Sequence, residues 1–93
     1  MQKTPEQLER ITILFNILKK TSVMYRKANN SQKEQLFDKF LPYVDQLVEL
    51  GYPRDLCESL MMFGDEFLKV PNMIHSPHYR SQYPEIYSIF LTP

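Results

Sequence analysis

An all-α fold, an irregular bundle of three or four helices, is predicted for this chain of 93 residues, and three observations carry the prediction. Only two glycines occur, too few for the many tight turns of an all-β domain. Apolar residues recur at spacings of three and four over three long stretches. Each stretch opens on a helix-start pattern and closes on a helix-stop residue. A chain of this length has room for one domain, residues 1–93, and one core, which buries roughly 60–65% of the surface the unfolded chain exposes.

The first helix is expected over 4–29. Thr4 is placed to cap it, Pro5 suits the first helical position, and Gln7 stands where a capping box needs its reciprocal partner. Leu8, Ile11, Phe15, Leu18 and Tyr25 share one row, with Leu14, Ile17, Met24 and Ala28 on the next. Together with Ile13 they span an arc of about 220°, against the roughly 100° a surface helix needs. Such a helix meets more than one neighbour. Asn29-Asn30 reads as its end, since asparagine favours turns.

Ser31-Gln32-Lys33-Glu34 reads as the capping box of a second helix, 31–50, kinked at Pro42 because proline removes a hydrogen bond and clashes with the Asp38 carbonyl. Gly51 stops it. A third helix, 53–70, is expected to run straight through Gly64, because the rows Leu56, Leu60, Phe63, Phe67 and Cys57, Met61, Gly64, Leu68 keep phase. Residues 71–93 hold four prolines yet remain apolar, so they are expected to form an extended aromatic tail docked on the bundle through Tyr83, Ile86, Tyr87, Ile89 and Phe90.

The net charge is zero but segregated. Residues 1–33 carry seven Lys/Arg against two acids, and 34–69 carry eight acids against three bases, so +5 meets −5 and the two regions are expected to face each other. Zero overall charge argues against nucleic acid, whose affinity rests on neutralised phosphates. The cluster Lys19, Lys20, Arg26, Lys27 keeps a polyanion contact as the alternative. No stretch approaches the roughly 20 apolar residues of a membrane span, the first residues lack a secretory core, and the single Cys57 fits a reducing compartment. A cytoplasmic location without membrane attachment is expected.

Catalytic and metal chemistry find little to stand on. His75-Ser76-Pro77-His78 brings two imidazoles together, but no second ligand pair follows. Cys57 shares a row with Met61 and Leu68 and reads as a buried structural thiol, since Asp55 and Glu58 oppose thiolate formation. No phosphate loop, nucleophile elbow or His-Glu-x-x-His occurs. The expectation is a protein that is not an enzyme and holds no cofactor.

Within residues 44–70, Leu47-Val48-Glu49-Leu50-Gly51-Tyr52-Pro53-Arg54-Asp55-Leu56-Cys57-Glu58-Ser59-Leu60 resembles the first two helices of a ubiquitin-associated domain. The resemblance implies that Leu50-Gly51-Tyr52 is the loop that contacts ubiquitin, through Gly51 and Tyr52. It also implies a third helix starting near Gly64-Asp65, where the apolar rows of this sequence run on unbroken.

The expected function is protein–protein interaction, as an adaptor or a homodimer. The dimer is built on the first helix through Leu8, Ile11, Phe15, Leu18, Met24 and Tyr25, because a single helical hairpin leaves much of its arc uncovered.

Overall fold

The computed structural model describes residues 3–69 and 81–91. Among them are five helices and no strand: α1 (Pro5–Lys27), α2 (Asn30–Glu49), α3 (Arg54–Phe63), α4 (Asp65–Lys69) and α5 (Pro84–Leu91). The all-α bundle is therefore as the sequence predicts. Val70, Pro71, Pro77, Pro93 and the two histidines His75 and His78 lie outside the described residues.

α1 begins as its sequence dictates. The Gln7 amide donates to Thr4 Oγ1 at 3.1 Å while Gln7 Oε1 accepts from the Thr4 amide at 2.9 Å, so two of the helix's orphan donors are satisfied. The second helix starts two residues earlier than the Ser31 pattern suggests. Asn29 caps it and Gln32 closes the box, at 2.8 and 3.1 Å. Asn29 thus starts α2 rather than ending α1, and the connection consists of Ala28 and Asn29. Both residue types accept from an N3 amide, so the sequence offered two competing caps, and Asn29 is the one used.

α2 passes through Pro42 as one helix. Pro42 and Asp38 both lie on the exposed side, where a carbonyl left without a donor costs least. Gly51, at φ 104°, closes α2 with a Schellman pair: its amide donates to the Val48 carbonyl at 3.0 Å and the Tyr52 amide to the Leu47 carbonyl at 3.1 Å.

The third expected helix is two. Gly64 takes φ 59° and ψ −136°, ending α3, and α4 starts at Asp65. Phase continuity in the apolar rows did not require one helix: Leu60, Met61 and Phe67 are buried on the two sides of the break, while Phe63, at its edge, is exposed. The other correction concerns residues 84–91, which are helical rather than extended. Pro84 stands at the first helical position, where proline is favoured, and Ile86, Ile89 and Phe90 follow at helical spacing. Reading proline only as a breaker misses that it also starts helices, as it does for the eight residues Pro84–Leu91.

α1 is the centre of the bundle, packed against α2, α3 and α5. Phe15 has no exposed surface and meets the rings of Tyr52 and Phe90 edge-on, at 5.0 and 6.1 Å between centroids. The Lys19 ammonium donates to the Ile89 carbonyl at 2.9 Å, capping the last turn of α5 from α1. Among the described residues the segregated charges meet at Arg26 of α1, which lies 3.6 Å from Asp65 and 3.9 Å from Glu66. With Lys69 hydrogen-bonding Asp65 at 3.0 Å and Arg26 nearby, the Asp65 carboxyl sits below its usual range.

Candidate functional site

α1 divides into an inner and an outer face. Ile11, Leu14, Phe15, Leu18, Thr21 and Ser22 are buried and occupy about 120° of the helix surface at 100° per residue. The buried hydroxyls are satisfied within the helix, Thr21 donating to the Ile17 carbonyl at 2.8 Å and Ser22 to that of Lys19 at 2.6 Å. The three neighbours therefore cover little more than half of the 220° apolar arc. On the uncovered flank stand Ile13 at 53% exposure and Met24 at 45%, with half-buried Ile17 between them.

This flank runs into an open groove of about 510 Å³ between the end of α1 and the start of α2. Met24, Ala28 and Leu36 give it an apolar floor, and Lys27 and Lys39 rim it. A second groove of about 750 Å³ lies between the same helices, lined by Tyr25, Lys33, Glu34, Phe37 and Asp38 among others. Its charged lining, with the Lys33 ammonium 5.4 Å over the Tyr25 ring, makes it the more polar of the two. The apolar flank and the first groove form one continuous surface, and that surface is the candidate site.

The residues expected at a dimer surface separate accordingly. Ile11, Phe15 and Leu18 lie in the core of their own chain, at 1%, 0% and 0% exposure, and are closed to a partner. Leu8, at 46%, and Met24 are exposed but about 160° apart around the helix, so one flat partner cannot cover both. Tyr25 is half-buried in the second groove. Sequence reasoning passed over Ile13 as a site residue. The signal that pointed to it was the arc itself, whose outer edge Ile13 marks.

Of the tail residues, Ile86 and Phe90 are buried, and Tyr83, Tyr87 and Ile89 are half-buried. Of the loop residues, Gly51 is exposed but Tyr52 is 2% exposed, stacked near Tyr83 at 5.4 Å, with its hydroxyl donating to the Glu85 carboxylate. Burial, then the Glu85 carboxylate, pushes that hydroxyl far above its ordinary pKa. Tyr52 belongs to the core and is not a surface contact. Among the polyanion candidates, Arg26 is held by α4 and Lys19 by α5, while Lys20 and Lys27 are exposed.

Cys57 has no exposed surface, and burial pushes its thiol up to about 12, with Arg54 opposing and Glu58 reinforcing. It is protonated at neutral pH and offers no thiolate nucleophile. Cys57 and Tyr52 both carry folded-state pKa values above their unfolded ones, so their contribution is intact below about pH 8.5. Above it the unfolded chain sheds protons that the native state retains, and stability falls. Chemical denaturation at pH 7, 9 and 10.5 is expected to show a falling midpoint, with a thiol reagent labelling Cys57 only at the rate of unfolding. A flat midpoint together with immediate labelling would contradict the burial of this side chain.

Among the described residues no group of three or more His, Cys, Asp or Glu could hold a metal ion, and no helix is long and apolar enough to cross a membrane. Compared with protein families, curated proteins and solved structures, the chain finds no match in any of the three.

Proposed function

We propose that this chain is a non-catalytic protein-interaction module of the cytoplasm, docking another polypeptide through the outer flank of α1 and the groove it shares with α2. The observation that carries the reading is the exposure of Ile13 and Met24, 53% and 45%, on the helix whose other side forms the centre of the core. Single exposed apolar residues are ordinary, but a row of them leading into an apolar-floored groove is the signature of a contact surface. Polar rims around apolar floors are typical of such surfaces, and Lys27 and Lys39 provide one here. Nucleic-acid binding stands behind this reading because Arg26 and Lys19, half of the basic cluster, are engaged inside the fold. A ubiquitin contact at Gly51 and Tyr52 stands behind it as well, since the tyrosine faces the core.

Site-specific photo-crosslinking in the native host tests the reading. A crosslinking side chain placed at Ile13 or Met24 is expected to give discrete polypeptide adducts, and one at the exposed Glu49 on α2 none. Equal adducts from all three positions, or none from any, would remove the surface from consideration. Asp substitution at Ile13 is expected to leave the thermal midpoint within a few degrees, as exposed positions contribute within about 0.5 kcal/mol.

A further inference from the structure

The outer face of α1 carries a pattern along its length as well as around it. At 100° per residue, Glu6, Glu9, Ile13, Ile17, Lys20, Met24 and Lys27 all fall within one band of about 80°. Reading from the N-terminus the band is acidic, then apolar, then basic. Glu6, Glu9, Lys20 and Lys27 are exposed, and none of them forms an ion pair among the described residues. Arg10, at the edge of this band, is engaged elsewhere, donating to Gln46.

An isologous interface uses the same patch on both partners, so the patch must complement itself under a two-fold rotation. This band does so in one orientation only. Two copies of α1 laid antiparallel, with the axis between Asn16 and Ile17, set Glu6 against Lys27 of the other copy and Glu9 against Met24. Within a turn of that register Glu9 also reaches Lys20 and Lys27. Ile13 and Ile17 fall at the centre, where the stem of the opposing Lys20 adds apolar cover. A parallel pair would set acid on acid and lysine on lysine, so the charges reject it.

We propose, building on the interaction reading above, that the occupant of this face is a second copy of the chain, and that α1 pairs antiparallel with α1 across a two-fold axis. The seam is about 30 Å long, one helix in width and widened by the groove with α2. That places it at the small end of stable interfaces, which need about 1,000 Å², and implies association in the micromolar range. Because the flanking pairs are solvent-exposed, added salt weakens the dimer.

Sedimentation equilibrium of the purified chain, with its charge-swapped variants, decides the matter. The wild type is expected to dimerise at tens of micromolar. Glu6→Lys with Glu9→Lys, and separately Lys20→Glu with Lys27→Glu, should each weaken self-association by on the order of tenfold or more, because like charges then oppose across both ends. Combining all four substitutions in one chain should restore the homodimer, and mixing the two half-swapped chains should give a one-to-one heterodimer. Circular dichroism on each variant confirms that the helices persist. A wild type that remains monomeric at about 100 µM overturns the proposal, as does a dimer indifferent to the half swaps or one that the fourfold swap fails to rescue. In any of those cases, crosslinks from Ile13 to a different polypeptide would leave the interaction reading standing, whereas absent crosslinks would remove both.

Discussion

Replacing Gly64 by alanine is expected to lower the thermal unfolding midpoint by roughly 10–20 °C. Two independent causes act. Gly64 adopts φ 59° and ψ −136°, a combination that costs an L-residue about 1–3 kcal/mol. A Cβ there would also stand 2.3 Å from Ser22 Oγ and 3.0 Å from Ser22 Cβ. Ser22 cannot simply swing aside, because it is 1% exposed and its hydroxyl is committed to the Lys19 carbonyl. α1 and the α3–α4 corner must separate, at a cost of about 1–3 kcal/mol for overpacking. Ser22→Ala in the Gly64→Ala background removes the nearer atom and should recover part of the loss, leaving the backbone strain. A Gly64→Ala protein that melts within about 2 °C of wild type would show that the close approach is not there.

Phe90→Ala is expected to cost about 3–5 kcal/mol, the range for emptying a buried phenylalanine site. Phe90 is 2% exposed and packs on Phe15, beside Ile86 at 0%. A domain of this size has on the order of 5–14 kcal/mol in total, so one side chain from the last helix carries a substantial share. Removing residues 81–93 should therefore leave α1 with Phe15 and the Tyr52 hydroxyl uncovered, and give a chain without a cooperative transition. Denaturant unfolding followed by circular dichroism measures both. If Phe90→Ala shifts the free energy by less than about 1 kcal/mol, α5 is an appendage rather than part of the core.

Much of the bundle was legible in the residues. The Thr4–Gln7 box, Pro5, the stop at Gly51 and the inward rows of all three long segments follow from local chemistry, in which a cap or a glycine acts on atoms within a few positions of itself. Where two local signals competed, the sequence could not rank them: Asn29 and Ser31 are both good caps, and the choice falls to whichever gives a linker that lets α1 and α2 pack. Gly64 shows a different limit. A single glycine inside an in-phase pattern is compatible with a continuous helix or with a bend, and the deciding contact is Ser22, 42 positions away in the chain.

The candidate site follows the same division. By itself the sequence determined that the first helix is apolar over too wide an arc for one neighbour, that the core rows of that helix include Phe15 and Leu18, and that charge is segregated between residues 1–33 and 34–69. Only the tertiary structure decided which part of the arc the chain covers for itself. α2, α3 and α5 pack on the face of α1 that carries Phe15, leaving Ile13 and Met24 outside and drawing Tyr52 in. The physical reason is that periodicity records how much apolar surface a helix must bury, whereas the identity of the covering element depends on contacts between residues far apart in the chain, such as Phe15 with Phe90 and Tyr52 with Glu85.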